Sequence, residues 1–326
     1  MDVDGTEGIV YNQKQSVYTK YKRGRNRGKM DKLTLQAMAK INLGLDVVRR
    51  REDGYHEVKM VMQTVKLHDR LTFEKRKEDM LRMESSMKEL PSDGSNLILR
   101  AASLLKEEFG IREGLFVRLE KQIPVAAGMA GGSTDAAATL VAVNRMFGLG
   151  LSEDQLRERA VKIGADVPYC IGGGTALSEG IGEILTPLPA APACFVIVAR
   201  PPVHVSTKWV YQNLRLEEVK EHPDIDGMVE SIREGELSGV IKRLSNVLET
   251  VTVPSYPVIA QIKDFLMKNG AAGALMSGSG PTVFALFEDR ERAERALEEL
   301  QQTGMAQQAC LTAFSDETCV EEALLQ

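Results

Sequence analysis

PVAAGMAGGSTDAAATLVAVNRMFG, residues 124–148, is the stretch on which the reading of this 326-residue sequence turns. Alanines and aliphatics continue from its glycines to Phe147 without a breaker, so Ser133, Thr134 and Asp135 stand at the start of a long helix, where Asp135 can cap locally. Upstream, GLFVRLEKQI (114–123) reads as a strand, giving a strand, glycine loop, helix unit. Such a loop turns several backbone N–H groups in one direction and the helix dipole adds partial positive charge, which suits a phosphate. Gly128, Gly131 and Gly132 let the backbone approach it, while Ser133 and Thr134 offer hydroxyls to phosphate or magnesium-bound water. The glycines read GMAGG, without the GKS or GKT ending of a Walker loop and without GxGxxG. A tight strand-to-helix connection with no ligand is the plain alternative.

Before this unit, LTLQAMAKINLGLDVV (33–48) reads as paired β-strands with a bend near Lys40 to Asn42. EDGYHEV (52–58) puts turn-forming Asp53 and Gly54 ahead of Tyr55 and His56, an accessible position. NLILRAASLLKEEF (96–109) has helical spacing after a Pro-Ser-Asp-Gly-Ser turn. After the unit, SEDQLRERAVKIG (152–164) is a helix with Ser152 and Gln155 in capping-box spacing. ADVPYCIGGGTALSEGIGE (165–183) reads as loop, buried strand and turn. The second half offers a strand in ACFVIVARPP (193–202), helical segments near 225–248 and 256–269, a glycine turn before a strand in GAAGALMSGSGPTVFALFED (270–289), and a helix in RAERALEELQQTG (292–304). Strands and helices alternate without a regular βαβ rhythm, so the expected class is α+β. The expected division is a basic, disordered leader at 1–29, a first domain at 30–180 and a second at 181–326.

Composition narrows the function classes. Hydrophobic residues at 43% and charged residues at 27% fit a chain that buries a substantial core. No apolar run reaches the length needed to span a bilayer and no secretory signal is apparent, so no membrane partner and a cytoplasmic location are expected. Cys170, Cys194, Cys310 and Cys319 match neither metal-ligand nor disulfide spacing, and His56, His68, His204 and His222 form no helical pair, so no protein-built metal site is expected. Net charge is −5, but residues 1–29 hold seven basic against three acidic residues, a balance of +4 that leaves −9 for the rest. The basic run at 14–29, with Tyr18 and Tyr21, has the make-up of a nucleic-acid arm. A disordered leader, with Met30 as an alternative start, is the favoured reading, and a nucleic-acid partner is disfavoured.

Taken together and in order, AKINLGLDV (39–47), PVAAGMAGGSTDAA (124–137), GADVPYCIGGGTALSEGIGE (164–183) and MSGSGPTVFALF (276–287) resemble the GHMP kinase superfamily. The resemblance implies a two-lobed fold, an ATP-binding N-terminal lobe and a C-terminal lobe with the active-site cleft between them. Through AKINLGLDVVRRREDGYHEV (39–58) it narrows to members that use ATP and Mg2+ to phosphorylate the C2 hydroxyl of 4-diphosphocytidyl-2-C-methyl-D-erythritol. It implies a catalytic pair, Lys40 and Asp166. It also implies ATP contacts at Asn96, Pro124, Val125, Ala126, Ala127, Gly128, Met129, Ala130, Gly131, Gly132, Ser133 and Thr134. Asn42, Tyr55, His56 and Tyr211 are implied for the substrate, with Tyr211 where relatives often carry a stacking phenylalanine and Met62 where several carry a second aromatic. Ser277 to Gly280 resemble a late glycine motif that supports the phosphate loop. Read singly, Lys40 is a solvated strand lysine, Asp166 a cap, Asn96 a helix N-cap, and His56 and Tyr211 packed rings. A different GHMP kinase, a non-catalytic nucleotide binder and a nucleic-acid binder are the competing functions.

Overall fold

The computed structural model describes residues 30–318 and 320–322; the basic leader, its nucleic-acid run and Cys319 lie outside them. In chain order the first part comprises β1 (Lys32–Arg50), β2 (His56–Arg76), β3 (Leu81–Ser85), α1 (Leu97–Glu108), β4 (Gly114–Glu120), α2 (Gly131–Met146), α3 (Glu153–Ala160), α4 (Val167–Gly172), β5 (Thr175–Glu179) and β6 (Ile184–Pro187). There follow β7 (Phe195–Arg200), α5 (Thr207–Asn213), α6 (Ile225–Glu234), α7 (Leu237–Lys242), β8 (Ser245–Asn246), α8 (Glu249–Ser255) and α9 (Val258–Lys268). The remainder is β9 (Gly273–Met276), β10 (Val283–Phe287), α10 (Arg290–Thr303), β11 (Gln308–Ala313) and β12 (Val320–Glu322). The larger sheet runs β12-β1-β2-β4-β3, with β5 and β6 continuing from β2 and β8 beside β1, and the smaller runs β11-β7-β10-β9.

The segment expected to form paired strands around a bend is one continuous strand, β1, antiparallel to β2. Its register on β2 shifts between Met38 and Lys40, between Asn42 and Gly44, and a third time between Val47 and Arg49. A register shift of one residue exchanges the faces of a strand. Leu33, Leu35 and Ala37 therefore pack in the core under the helices, Ala39, Ile41 and Leu43 in the core between the two sheets, and Leu45 and Val47 under the helices again. The even-numbered residues between the first two shifts, Lys40 and Asn42, point the other way, into a cleft. β10 divides its residues by simple alternation, Phe284 and Leu286 into the inter-sheet core, Val283, Ala285 and Phe287 against the outer helices.

The strand, glycine loop, helix unit forms as read, as do α1, α10 and the Ser152–Gln155 capping box, in which Gln155 N donates to Ser152 Oγ at 3.2 Å and Ser152 N donates to Gln155 Oε1 at 2.9 Å. That capped helix stops at Ala160, short of Gly164. VPYCIG, read as loop, is the short helix α4. The division expected at residue 180 falls between β5 and β6, which pair with each other.

Candidate active site

One cleft of about 1120 Å³ gathers residues from β1, the β1–β2 hairpin tip, the glycine loop, the start of α4, α5 and the turn between β9 and β10. At its floor the Lys40 ammonium donates to Asn42 Oδ1 at 2.7 Å and to the Gly128 carbonyl at 3.3 Å, and stands 3.9 Å from Asp166 Oδ2. Lys40 is only 5% exposed against 34% for Asp166, so the ammonium is held by protein while the carboxylate opens to the cleft. Asp166 occupies the N-cap position of α4 yet makes no side-chain capping bond, and Pro168 supplies no N–H there. Its charge is thereby left for Lys40 and for whatever enters the cleft.

The glycine loop passes directly over this pair. Ala126 and Ala130 have φ of 50° and 56°, left-handed values that L-residues rarely adopt, and Gly128 has φ of 77°. A Cβ on Gly128 would collide with the Ser277 carbonyl, so only glycine fits. Ser277 Oγ donates to the Gly128 carbonyl at 2.9 Å, and Asn42 N donates to the same hydroxyl at 3.3 Å. Asn246 Nδ2 secures the turn by donating to the Met276 and Gly278 carbonyls, each at 2.8 Å. Ala130 caps α2 without a side-chain bond, so the first N–H groups of this 16-residue helix have no side-chain capping partner.

Not every loop residue faces the cleft. Ser133, Gly131 and Gly132 line it, but Thr134 is fully buried with its hydroxyl unpartnered, and Met129 packs in the inter-sheet core. Asp135, expected to cap locally, instead accepts at 2.8 Å from Lys121, which also donates to Asp69. Asp69 Oδ1 in turn accepts from Gln122 N at 2.6 Å and Ile123 N at 2.9 Å, while Asp135 Oδ1 is buried without a partner. Burial pushes Asp135 up to about 7, with Lys121 opposing the shift and Asp69 adding to it. Burial works against the charge on Lys121 as well, but the two carboxylates outweigh it and raise its pKa. Sequence reading missed this buried group, because nothing in EKQIP marks a lysine that meets acids from distant segments.

At the other end, the His56 and Tyr211 rings lie with centroids 5.1 Å apart and planes at 36°. Tyr55 at the hairpin tip is 61% exposed. Burial, and then the charge of Arg50, lowers the His56 pKa and favours the neutral imidazole, which both donates and accepts. Burial and then Asp166 raise Tyr211 above the ordinary phenol range. Met62 is fully buried, pairs with Ala176 of β5 and does not line the cleft; Met60 does, and its sulfur accepts from Asn42 Nδ2 at 3.2 Å. Asn96 lines the cleft and also caps α1, accepting from Ile98 N at 2.9 Å and donating to the Pro91 carbonyl at 2.8 Å. Among the described residues no cluster of three His, Cys, Asp or Glu is set to hold a metal, and no helix is long and apolar enough to cross a membrane.

A glycine loop feeding a helix, facing a lysine–carboxylate pair and closed by a second glycine turn, defines a phosphoryl-transfer cleft of the GHMP kind. Residues 96–174 match the GHMP kinases N terminal domain and residues 217–305 the GHMP kinases C terminal family. A 4-diphosphocytidyl-2-C-methyl-D-erythritol kinase of Lachnoclostridium phytofermentans is 51% identical over 285 residues, 87% of this chain and 98% of its own length. One of Geobacillus kaustophilus is 51% identical over 265 residues, 81% of this chain and 91% of its own. A crystal structure of 4-(cytidine 5'-diphospho)-2C-methyl-D-erythritol kinase superposes with a TM-score of 0.74 at 33% identity, covering 87% of this chain and 99% of that one. Homoserine kinase from Cytophaga hutchinsonii superposes equally well at 20% identity, over 91% and 98% of the two chains, and shares the fold alone. The chain is a member of the ATP-dependent GHMP kinases and, within them, belongs to the 4-diphosphocytidyl-2-C-methyl-D-erythritol kinase family.

Proposed function

We infer that this chain transfers the γ-phosphoryl group of ATP to the C2 hydroxyl of 4-diphosphocytidyl-2-C-methyl-D-erythritol, in the non-mevalonate (MEP) route to isoprenoid precursors, as a cytoplasmic enzyme. The observation that carries the reading is the meeting of Lys40 and Asp166 at 3.9 Å in one cleft with the start of α2 and the His56–Tyr211 rings. The nucleotide phosphates lie along residues 124–134, gripped by main-chain N–H groups at the start of α2, with Ser133 as the accessible hydroxyl and Asn96 at the adenine end. Asp166 orients the acceptor hydroxyl and takes its proton as the oxygen bonds to the γ-phosphorus and the bond to the β-phosphate oxygen breaks, releasing ADP. Lys40 stabilises charge on the transferring oxygens, and Asn42 fixes the ammonium. Tyr211 and Tyr55 offer faces to the cytosine and neutral His56 pairs with its edge.

Mg2+ suits the hard oxygen donors present, the Ser133 hydroxyl and the open Asp166 carboxylate, since this ion is commonly held by one or two protein oxygens together with nucleotide phosphates. When bound it neutralises phosphate charge. The absence of a protein-built cluster among the described residues is compatible with that mode. A coupled ADP-release assay with saturating MgATP and the cytidylated alcohol tests the assignment; turnover no greater than in buffer removes it.

A further inference from the structure

Residues 49–51 are three consecutive arginines with different commitments. Arg49 Nε donates to Glu57 at 2.5 Å and Arg51 Nη2 meets Asp53 at 2.9 Å. Arg50 lies between them, lines the cleft, and is the cross-strand partner of His56. Its position follows from strand alternation, which turns neighbouring side chains to opposite sides. Lys208 lines the cleft from the facing wall, on the first turn of α5 and three residues before Tyr211, a spacing that puts both on one helix face. Neither Arg50 nor Lys208 has an ion-pair partner among the described residues, whereas Lys40 faces Asp166 and Lys121 is held between Asp69 and Asp135. Glu217 also lines the cleft and offsets part of this positive charge.

The geometry points to Arg50 and Lys208 as the cations that bracket the diphosphate of the cytidylated substrate, one from each wall beside the His56–Tyr211 rings. This rests on the substrate reading above and assigns the charged middle of that substrate to specific side chains. A diphosphate brings adjacent negative charges that need counter-charge, and guanidinium offers a fork of N–H donors matched to phosphate oxygens. Both side chains are exposed, so the attraction is screened by salt and modest for each.

The test is calorimetric binding of CDP and of cytidine to the full chain, for the parent, Arg50→Gln, Lys208→Gln and the double variant, at low and high NaCl. The parent is expected to bind CDP more tightly than cytidine and to lose that preference as salt rises. The double variant is expected to weaken CDP about tenfold, as for loss of charge-assisted hydrogen bonds, while cytidine changes less than about twofold. In turnover assays the loss falls on KM for the cytidylated alcohol rather than on KM for ATP. A parent that prefers CDP and a double variant with the same CDP-to-cytidine ratio overturns the bracket and leaves the substrate reading standing. A parent that binds both alike overturns the bracket alone, and a parent that binds neither overturns both.

Discussion

Asp166 sits where a carboxylate usually caps a helix, and the cap is not made; the side chain faces Lys40 instead. Asp166→Asn keeps the shape and removes the charge, so kcat is expected to fall by at least about 100-fold while nucleotide affinity and melting temperature stay near the parent values. Steady-state turnover beside a thermal melt checks this. Asp135 yields a second expectation. Because its pKa in the fold is raised to about 7, its contribution to stability is full below the ordinary 3.8 and is lost as pH rises through about 7. The melting temperature of the parent relative to Asp135→Asn should therefore fall between pH 5 and pH 8, and a difference that stays level or grows would contradict the buried assignment. That Lys40, Asp166, His56 and Tyr211 belong to one site was legible because each lies in a short motif, and the fold gathers them in one cleft. Lys121 was not, since its two acids come from the end of β2's central stretch and from α2 and are joined only by folding. Thr134 shows the opposite failure: its place beside Ser133 in the loop suggested a ligand, but the helical turn aims it inward.

At the scale of elements, helices with caps and one apolar face were read directly, because their spacing carries the signal. The register shifts in β1 were invisible, since both faces of the stretch around Lys40 and Asn42 are buried and its alternation of residue types runs straight through them. The short helix α4 went unread because six residues containing Pro168 and ending in glycine give no periodicity. The glycine loop makes the strongest element-level prediction. Gly128→Ala adds a Cβ at positive φ against the Ser277 carbonyl and is expected to lose about 1–3 kcal/mol of stability and to weaken nucleotide binding, measurable by denaturant unfolding and by titration with an ATP analogue.

Across the whole molecule, the two sheets are fastened around the cleft by contacts between distant segments. Ser277 reaches Gly128 and Asn42; His222 Nδ1 lies 2.8 Å from Asp46 Oδ1, and Lys59 Nζ donates to Asp226 Oδ1 at 2.6 Å. A nucleotide that fills the space under the glycine loop binds the folded form alone. At about 100 times its Kd it is expected to raise apparent stability by about 2.7 kcal/mol, read as a ligand-dependent rise in melting temperature that Gly128→Ala diminishes.

β8 and β12, from the latter half of the chain, hydrogen-bond to β1 rather than to the smaller sheet. Scission near residue 190 would thus strip the first fragment of two neighbours of β1 and leave open backbone edges inviting self-association. The halves are sewn together by the backbone itself, so neither is a natural module for grafting or separate expression.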